Sequence, residues 1–117
     1  MVMTKTGLMK KYPRFFDVAT MKFFGSRLEA CGFDLGDGVD LFITSEEDPH
    51  GVAWDGERRF TVRVAWLADD AREVHFDVGS FGKHGTMREA FDAAKQTMAN
   101  WERQKGLLSR ENIKDLT

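Results

Sequence analysis

The stretch from Arg72 to Trp101 constrains the fold more than any other part of the chain. Val74, Phe76 and Val78 alternate with Glu73, His75 and Asp77, the period-two pattern of a strand with one face on a core and the other toward solvent. Gly79 and Gly82 break that run. Thr86-Met87-Arg88-Glu89 then has the form of a capping box: the threonine hydroxyl accepts from the Glu89 backbone N–H, and the Glu89 carboxylate reaches back to the Thr86 N–H. A helix is predicted from Met87. Its residues Met87, Phe91, Ala94, Met98 and Trp101 form one apolar stripe that needs a sheet to cover it, and Gly106 is its natural stop.

Further elements follow from the same periodicities. A first helix is expected with Asp17 or Thr20 as its cap, Met21, Phe24, Leu28 and Cys31 on one face, Gly25 inside it and Gly32 at its end. Val39 to Thr44 reads as a strand with Leu41 and Ile43 inward. A loop from Ser45 to Glu57 leads to the strongest strand pattern, Arg58 to Leu67, with Phe60, Val62, Val64 and Trp66 on one face and Arg59, Thr61, Arg63 and Ala65 on the other. Ala68 to Ala71 makes a hairpin to the third strand, and Ser109 can cap a last short helix containing Ile113 and Leu116. The order αβββα points to an α+β fold. A three-stranded antiparallel sheet is expected, with both helices on one face and the other face open. Trp66, Phe76, Phe91 and Trp101 should share one core with Phe24 and Leu28.

At 117 residues and 42% hydrophobic content the chain suits a single domain, 1–117, with residues 1–16 as an N-terminal arm and 107–117 as a tail. The single cysteine, Cys31, excludes an intrachain disulfide and multi-cysteine zinc sites, which favours a reducing compartment. No apolar run is long enough for a membrane span, and the polar start from Met1 to Lys11 lacks the apolar centre of a signal peptide. A cytoplasmic protein without a membrane partner is expected, as monomer or homodimer.

Charge is segregated along the chain. Residues 1–31 carry six basic against two acidic side chains. Residues 32–57 carry Asp34, Asp37, Asp40, Glu46, Glu47, Asp48, Asp55 and Glu57 with no lysine or arginine. Such a belt is either a solvated loop or a surface that steers a basic partner. For the second reading the candidate partner-binding residues are Glu46, Glu47, Asp48 and Asp55.

Catalytic patterns are sparse. His50, His75 and His84 lack the spacing that sets two metal ligands on one helix face, so no metal and no cofactor are expected. Ser26, in Phe-Gly-Ser-Arg, lacks the second glycine of a nucleophile elbow. Cys31 lies on an apolar stripe, where a thiol is structural. The Leu35-Gly36-Asp37-Gly38 turn leads into a strand instead of the helix N-terminus a phosphate loop needs. A non-enzymatic binding protein is the expectation.

Three resemblances give that expectation content. The Gly79-Ser80-Phe81 turn, leading into a helix with Ala90, Ala93 and Ala94, resembles the third strand and helix of plant ethylene-response-type DNA-binding domains and of recombinase arm-binding domains. The αβββα order resembles the double-stranded RNA-binding fold. Those likenesses imply nucleic-acid contacts from Arg59 and Arg63 on the sheet and from Lys83, His84 and Arg88 at the helix start, although Glu73 and Asp77 share the sheet face. The segments Lys11-Tyr12-Pro13-Arg14-Phe15-Phe16, Thr20-Met21-Lys22-Phe23-Phe24-Gly25-Ser26-Arg27, Phe42-Ile43-Thr44-Ser45-Glu46 and Arg59-Phe60-Thr61-Val62-Arg63 together resemble small phage and mobile-element proteins of unassigned activity. That resemblance implies a bacterial host and an accessory protein that binds and inhibits a host protein or nucleoprotein complex, CRISPR effectors among them. The aromatic residues that carry it also read as simple core packing under the sheet.

Overall fold

Alternation between positions 39 and 78 builds the centre of one antiparallel sheet, and short segments on both sides extend it to seven strands. A computed structural model describes residues 2–17, 21, 25–29, 32–47, 57–101 and 113–116. In chain order the elements are β1 (Val2–Met3), α1 (Lys5–Lys11), β2 (Arg27–Leu28), β3 (Gly32–Gly36), β4 (Val39–Glu46), β5 (Arg59–Leu67), β6 (Glu73–Asp77), α2 (Met87–Ala99) and β7 (Ile113–Leu116). The sheet runs β1-β3-β4-β5-β6-β7, with β2 paired to Thr44 and Ser45 of β4. The longest ladder joins β4 to β5, from Asp40 opposite Ala65 to Glu46 opposite Arg59.

The α+β class expected from the periodicities is the observed one. The sheet, however, is wider than three strands, because segments read as helix or loop pair with it. Met21 is helical, but Gly25 takes a left-handed φ of 58° and Arg27–Leu28 is a strand, so the expected first helix does not reach Gly32. Gly32 instead opens β3. A Cβ on it would sit 2.8 Å from the Leu8 side chain and 3.0 Å from the Leu41 carbonyl, so the missing side chain lets α1 lie close on the sheet. Phe24 and Cys31 lie outside the described residues. At the other end Ile113–Leu116 pairs with β6 as a strand, where a short helix was expected.

The α2 helix forms as its capping box requires. The Thr86 hydroxyl accepts from the Glu89 N–H at 3.1 Å, and the Glu89 carboxylate accepts from the Gly85 N–H, one residue earlier than expected. The helix ends at Ala99 with Asn100 as its cap. Ala90, Ala94 and Trp101 pack on Leu41, Ile43, Val62, Val64 and Phe76, with Trp66, Met87, Phe91 and Met98 at the margin.

The opposite face, expected to be open, is covered. Leu8 and Tyr12 from α1 and the turn after it, with Phe15 and Phe16, pack on Phe42 and Ala65. Leu28 joins this second cluster and not the one around Trp66 and Phe91. The reason lies in the residues read as an arm. Thr4 caps α1 by accepting from the Gly7 N–H at 3.0 Å, and Lys10 and Lys11 sit in its last turn, where a helix dipole favours cations. Four large side chains on that segment then find apolar surface only beneath the sheet. Among the described residues no helix is long and apolar enough to cross a membrane.

Candidate functional site: a charged strip beneath the N-terminal segment

Side chains two apart on a strand share a face, and the registers align three strands so that their polar members meet. β4 contributes Asp40, Thr44 and Glu46, β5 contributes Thr61 and Arg63, and β6 contributes Glu73, His75 and Asp77. All are buried except Asp77, which is nearly so. Arg63 stands opposite Asp77 in the β5–β6 ladder. Its guanidinium donates to Asp77 Oδ1 at 2.7 Å, to Glu46 Oε1 at 2.9 Å and to the Thr44 hydroxyl at 2.7 Å. It lies 5.1 Å from the centre of the Phe15 ring and 5.8 Å from that of Phe81, positioned for cation–π contact on both.

Glu46 is fully buried. Its Oε1 accepts from Thr61 at 2.6 Å and Thr44 at 3.0 Å as well as from Arg63, and Thr61 itself accepts from the Gly82 N–H at 2.9 Å. Glu46 Oε2 has no hydrogen-bond partner among the described residues. A buried charge is tolerated only when paired and hydrogen-bonded, and Arg63 is the group that satisfies that condition for both carboxylates.

The same strip fastens the N-terminal segment. The Glu73 carboxylate accepts from two successive backbone N–H groups, Arg14 at 2.7 Å and Phe15 at 2.9 Å. The Tyr12 hydroxyl donates to Asp40 Oδ2 at 2.6 Å, with the Ala65 carbonyl a second acceptor at 2.9 Å. Burial, and then the Asp40 carboxylate, push the Tyr12 phenol well above the ordinary tyrosine range. Lys11 pairs with the same Asp40 oxygen at 2.7 Å and also donates to the Gly38 carbonyl.

The residues singled out from sequence fall into separate places. Glu46 belongs to β4 and to the buried network, not to an exposed acidic loop, because the ladder to β5 continues through it. Glu47 is exposed and pairs with Arg58 at 2.8 Å, while Arg58 also donates to Ser45 and to the Gly25 carbonyl. Asp48 and Asp55 lie outside the described residues. Arg63 is buried, so it is not a surface phosphate contact. Arg59 is half-buried and donates to the carbonyls of Gly82 and Lys83. That brings Arg59, Lys83 and His84 together, with Arg88 in the first turn of α2. The His84 imidazole is held below its ordinary range by burial and by the nearby charges of Lys83 and Arg59, against an opposing pull from Glu89.

Tyr12, Asp40, Thr44, Glu73 and Asp77 were not recognised as one system from sequence. The signal available was charge on facing strands, Arg63 against Glu73 and Asp77, together with an aromatic segment lacking a strand or helix assignment.

Fold and strip together define an α+β domain whose sheet is apolar on the α2 side and charged beneath its N-terminal segment. The chain belongs to a family of unknown function, DUF7447, whose sequence profile matches residues 3–95, a span that includes the strip and the segment over it. No curated protein and no solved structure is significantly similar to the chain.

Proposed function

We propose that the chain is a non-enzymatic accessory protein of phage or mobile-element type, acting in the cytoplasm of a bacterial host by docking on a basic surface of a host protein or nucleoprotein complex, a defence effector among the candidates. The observation that carries this reading is the acidic tip of the β3–β4 hairpin. Asp37 and Gly38 both take positive φ, 56° and 77°, the geometry of a tight hairpin turn. A Cβ built on Gly36 or Gly38 would meet nothing within 4 Å, so the turn is uncrowded on its outer side, while Lys11 of α1 holds the Gly38 carbonyl from the other. Asp34 and Asp37 are exposed on this hairpin. Exposed like charges on a turn accelerate encounter with a surface of opposite sign.

The phage setting rests on the motif resemblance, and inhibition is the mode of action that resemblance implies. The test is capture of host proteins by the wild-type chain and by an Asp34→Lys, Asp37→Lys variant. A specific host protein retained by the wild type and lost by a folded variant is expected. Equal retention refutes the acidic-tip reading.

A second reading, nucleic-acid binding, is favoured by one observation: Arg59, Lys83 and His84 gather beside the start of α2, and Arg88 is exposed in its first turn. Duplex DNA or RNA bound at physiological salt, and weakened when Arg59, Lys83 and Arg88 are replaced by alanine, would select it over the first.

A further inference from the structure

We propose that the groove bounded by Met9, Phe16, Met21, Arg27 and Arg58 is a ligand site for a medium-chain carboxylate, whose apolar tail lies along the methionines and whose one negative charge meets Arg27. The site stands apart from the acidic hairpin tip and uses none of its residues.

The groove lies at the β2 edge of the sheet, between α1 with its following turn and the strand ends that carry Glu47 and Arg58. Its volume is about 440 Å³, it is open to solvent on one side, and its surface is mainly apolar. Small-molecule sites have volumes of about 300–1,000 Å³ and combine apolar walls with a few placed polar groups, and this groove has both properties. The apolar wall follows from the geometry of α1. Leu8 and Tyr12, four residues apart, are fully buried against the sheet. Met9, turned about 100° further round the helix, cannot join them and stays 46% exposed. Met9 and Leu67 are the large apolar side chains left exposed among the described residues. Half-buried Met21 and the edge of Phe16 continue the wall. Methionine is unbranched and polarizable, so this wall adapts to the shape of an apolar tail.

The polar side is built around Gly25. Its left-handed φ of 58°, with the Ser26 N–H donating to the Met21 carbonyl at 2.7 Å, turns the chain from Met21 into β2 and sets Arg27 at the groove. A side chain at position 25 would crowd Glu47, whose carboxylate lies 3.1 Å from where the Cβ would be. Arg58 holds this side together. It pairs with Glu47 at 2.8 Å and donates to the Gly25 carbonyl and to the hydroxyl and carbonyl of Ser45, both at 3.0 Å. Arg58 and Glu47 thus neutralise one another. The Arg27 guanidinium is exposed and has no hydrogen bond or ion pair among the described residues. The lining therefore carries two guanidinium groups against one carboxylate, a surplus of one positive charge. That surplus matches a single carboxylate, which a guanidinium binds through charge-assisted hydrogen bonds, and it repels an ammonium ligand of the same shape.

Decanoate, added below the concentration at which it aggregates, is the probe, with decanol and decylamine as head-group controls and NMR of the methionine methyl groups as the readout. Saturable shifts of the Met9 and Met21 methyls are expected with decanoate, weaker binding with decanol and none with decylamine. Arg27→Gln, a change at an exposed position, should weaken decanoate several-fold and leave decanol unchanged. Met9→Ser should weaken decanoate and decanol alike, which keeps the site testable should Arg27→Gln not fold. Decylamine binding as tightly as decanoate, or decanoate affinity unmoved in folded Arg27→Gln, overturns the proposal. So do decanoate shifts that miss Met9 and Met21. Two other occupants would also sink it. Overhauser contacts in the free protein from these methyls to Val52 or Trp54 would mean that the chain itself fills the groove. Tighter binding of a peptide ending in a free leucine than of decanoate would make a protein terminus the ligand.

Discussion

Arg63→Ala is the sharpest single test of the charged strip. The substitution removes the guanidinium that pairs with both Glu46 and Asp77, whose side chains are 0% and 9% exposed. Breaking a buried pair by deleting one partner typically costs about 3–5 kcal/mol, because it leaves the remaining charge without compensation. Here Glu46 and Asp77 both lose the guanidinium, and the contacts with Phe15 and Phe81 are lost as well, so a cost within that range is expected. For a domain whose total stability is on the order of 5–15 kcal/mol this is a large fraction. With a urea m-value of about 2 kcal/mol/M, the unfolding midpoint should fall by about 1.5–2.5 M. Urea titration followed by tryptophan fluorescence measures it. A triple variant, Arg63→Met, Glu46→Leu and Asp77→Leu, removes the charges together and should sit much nearer wild type, since apolar replacements of a whole buried ionic group are often neutral or better. A midpoint for Arg63→Ala within about 0.5 M of wild type, corresponding to about 1 kcal/mol, would refute the argument.

Two further outcomes follow from local geometry. Thr86→Ala deletes the acceptor for the Glu89 N–H and should destabilise the domain by about 1 kcal/mol, read as a shift in thermal midpoint; no shift would show that α2 is held by packing alone. His84 should titrate by NMR below the ordinary histidine value of about 6.5, and Arg59→Ala should move it upward by removing one of the repelling charges. Because the folded value is the lower one, the unfolded chain takes up the proton first as pH falls. The contribution of His84 to stability is thus complete above the unfolded value and lost as pH falls through the folded value.

How far the sequence could be read depends on how far apart in the chain the interacting residues are. Thr86 and Glu89 are three apart, so their pattern fixes the start of α2 without knowledge of anything else. The alternation in β5 equally fixes that Arg59, Thr61, Arg63 and Ala65 share a face, and they do. Alternation alone does not say whether that face is covered. The cover comes from Tyr12, Phe15 and Phe16, held by Glu73 at separations of 58 and 59 residues, and no local periodicity encodes such a contact. The Met21–Leu28 segment failed for a different reason. A spacing of seven fits a helical stripe, but Gly25 takes a left-handed φ, which a continuing helix excludes, and Leu28 reaches the core from a strand.

The charge pattern gains a different meaning once the contacts are known. In sequence, residues 32–57 are a run of carboxylates without counter-charge. In the fold, Asp40 is met by Lys11, Glu46 by Arg63 and Glu47 by Arg58, all from outside the run. Two of these three carboxylates are buried, where an ion pair fixes one arrangement of neighbours more than it adds net stability. Asp40 and Glu46 thereby set which segments lie against the sheet, and Asp34 and Asp37 at the hairpin tip are left as exposed charge. The segregation along the chain thus divides into a structural part under the N-terminal segment and a surface part at the tip.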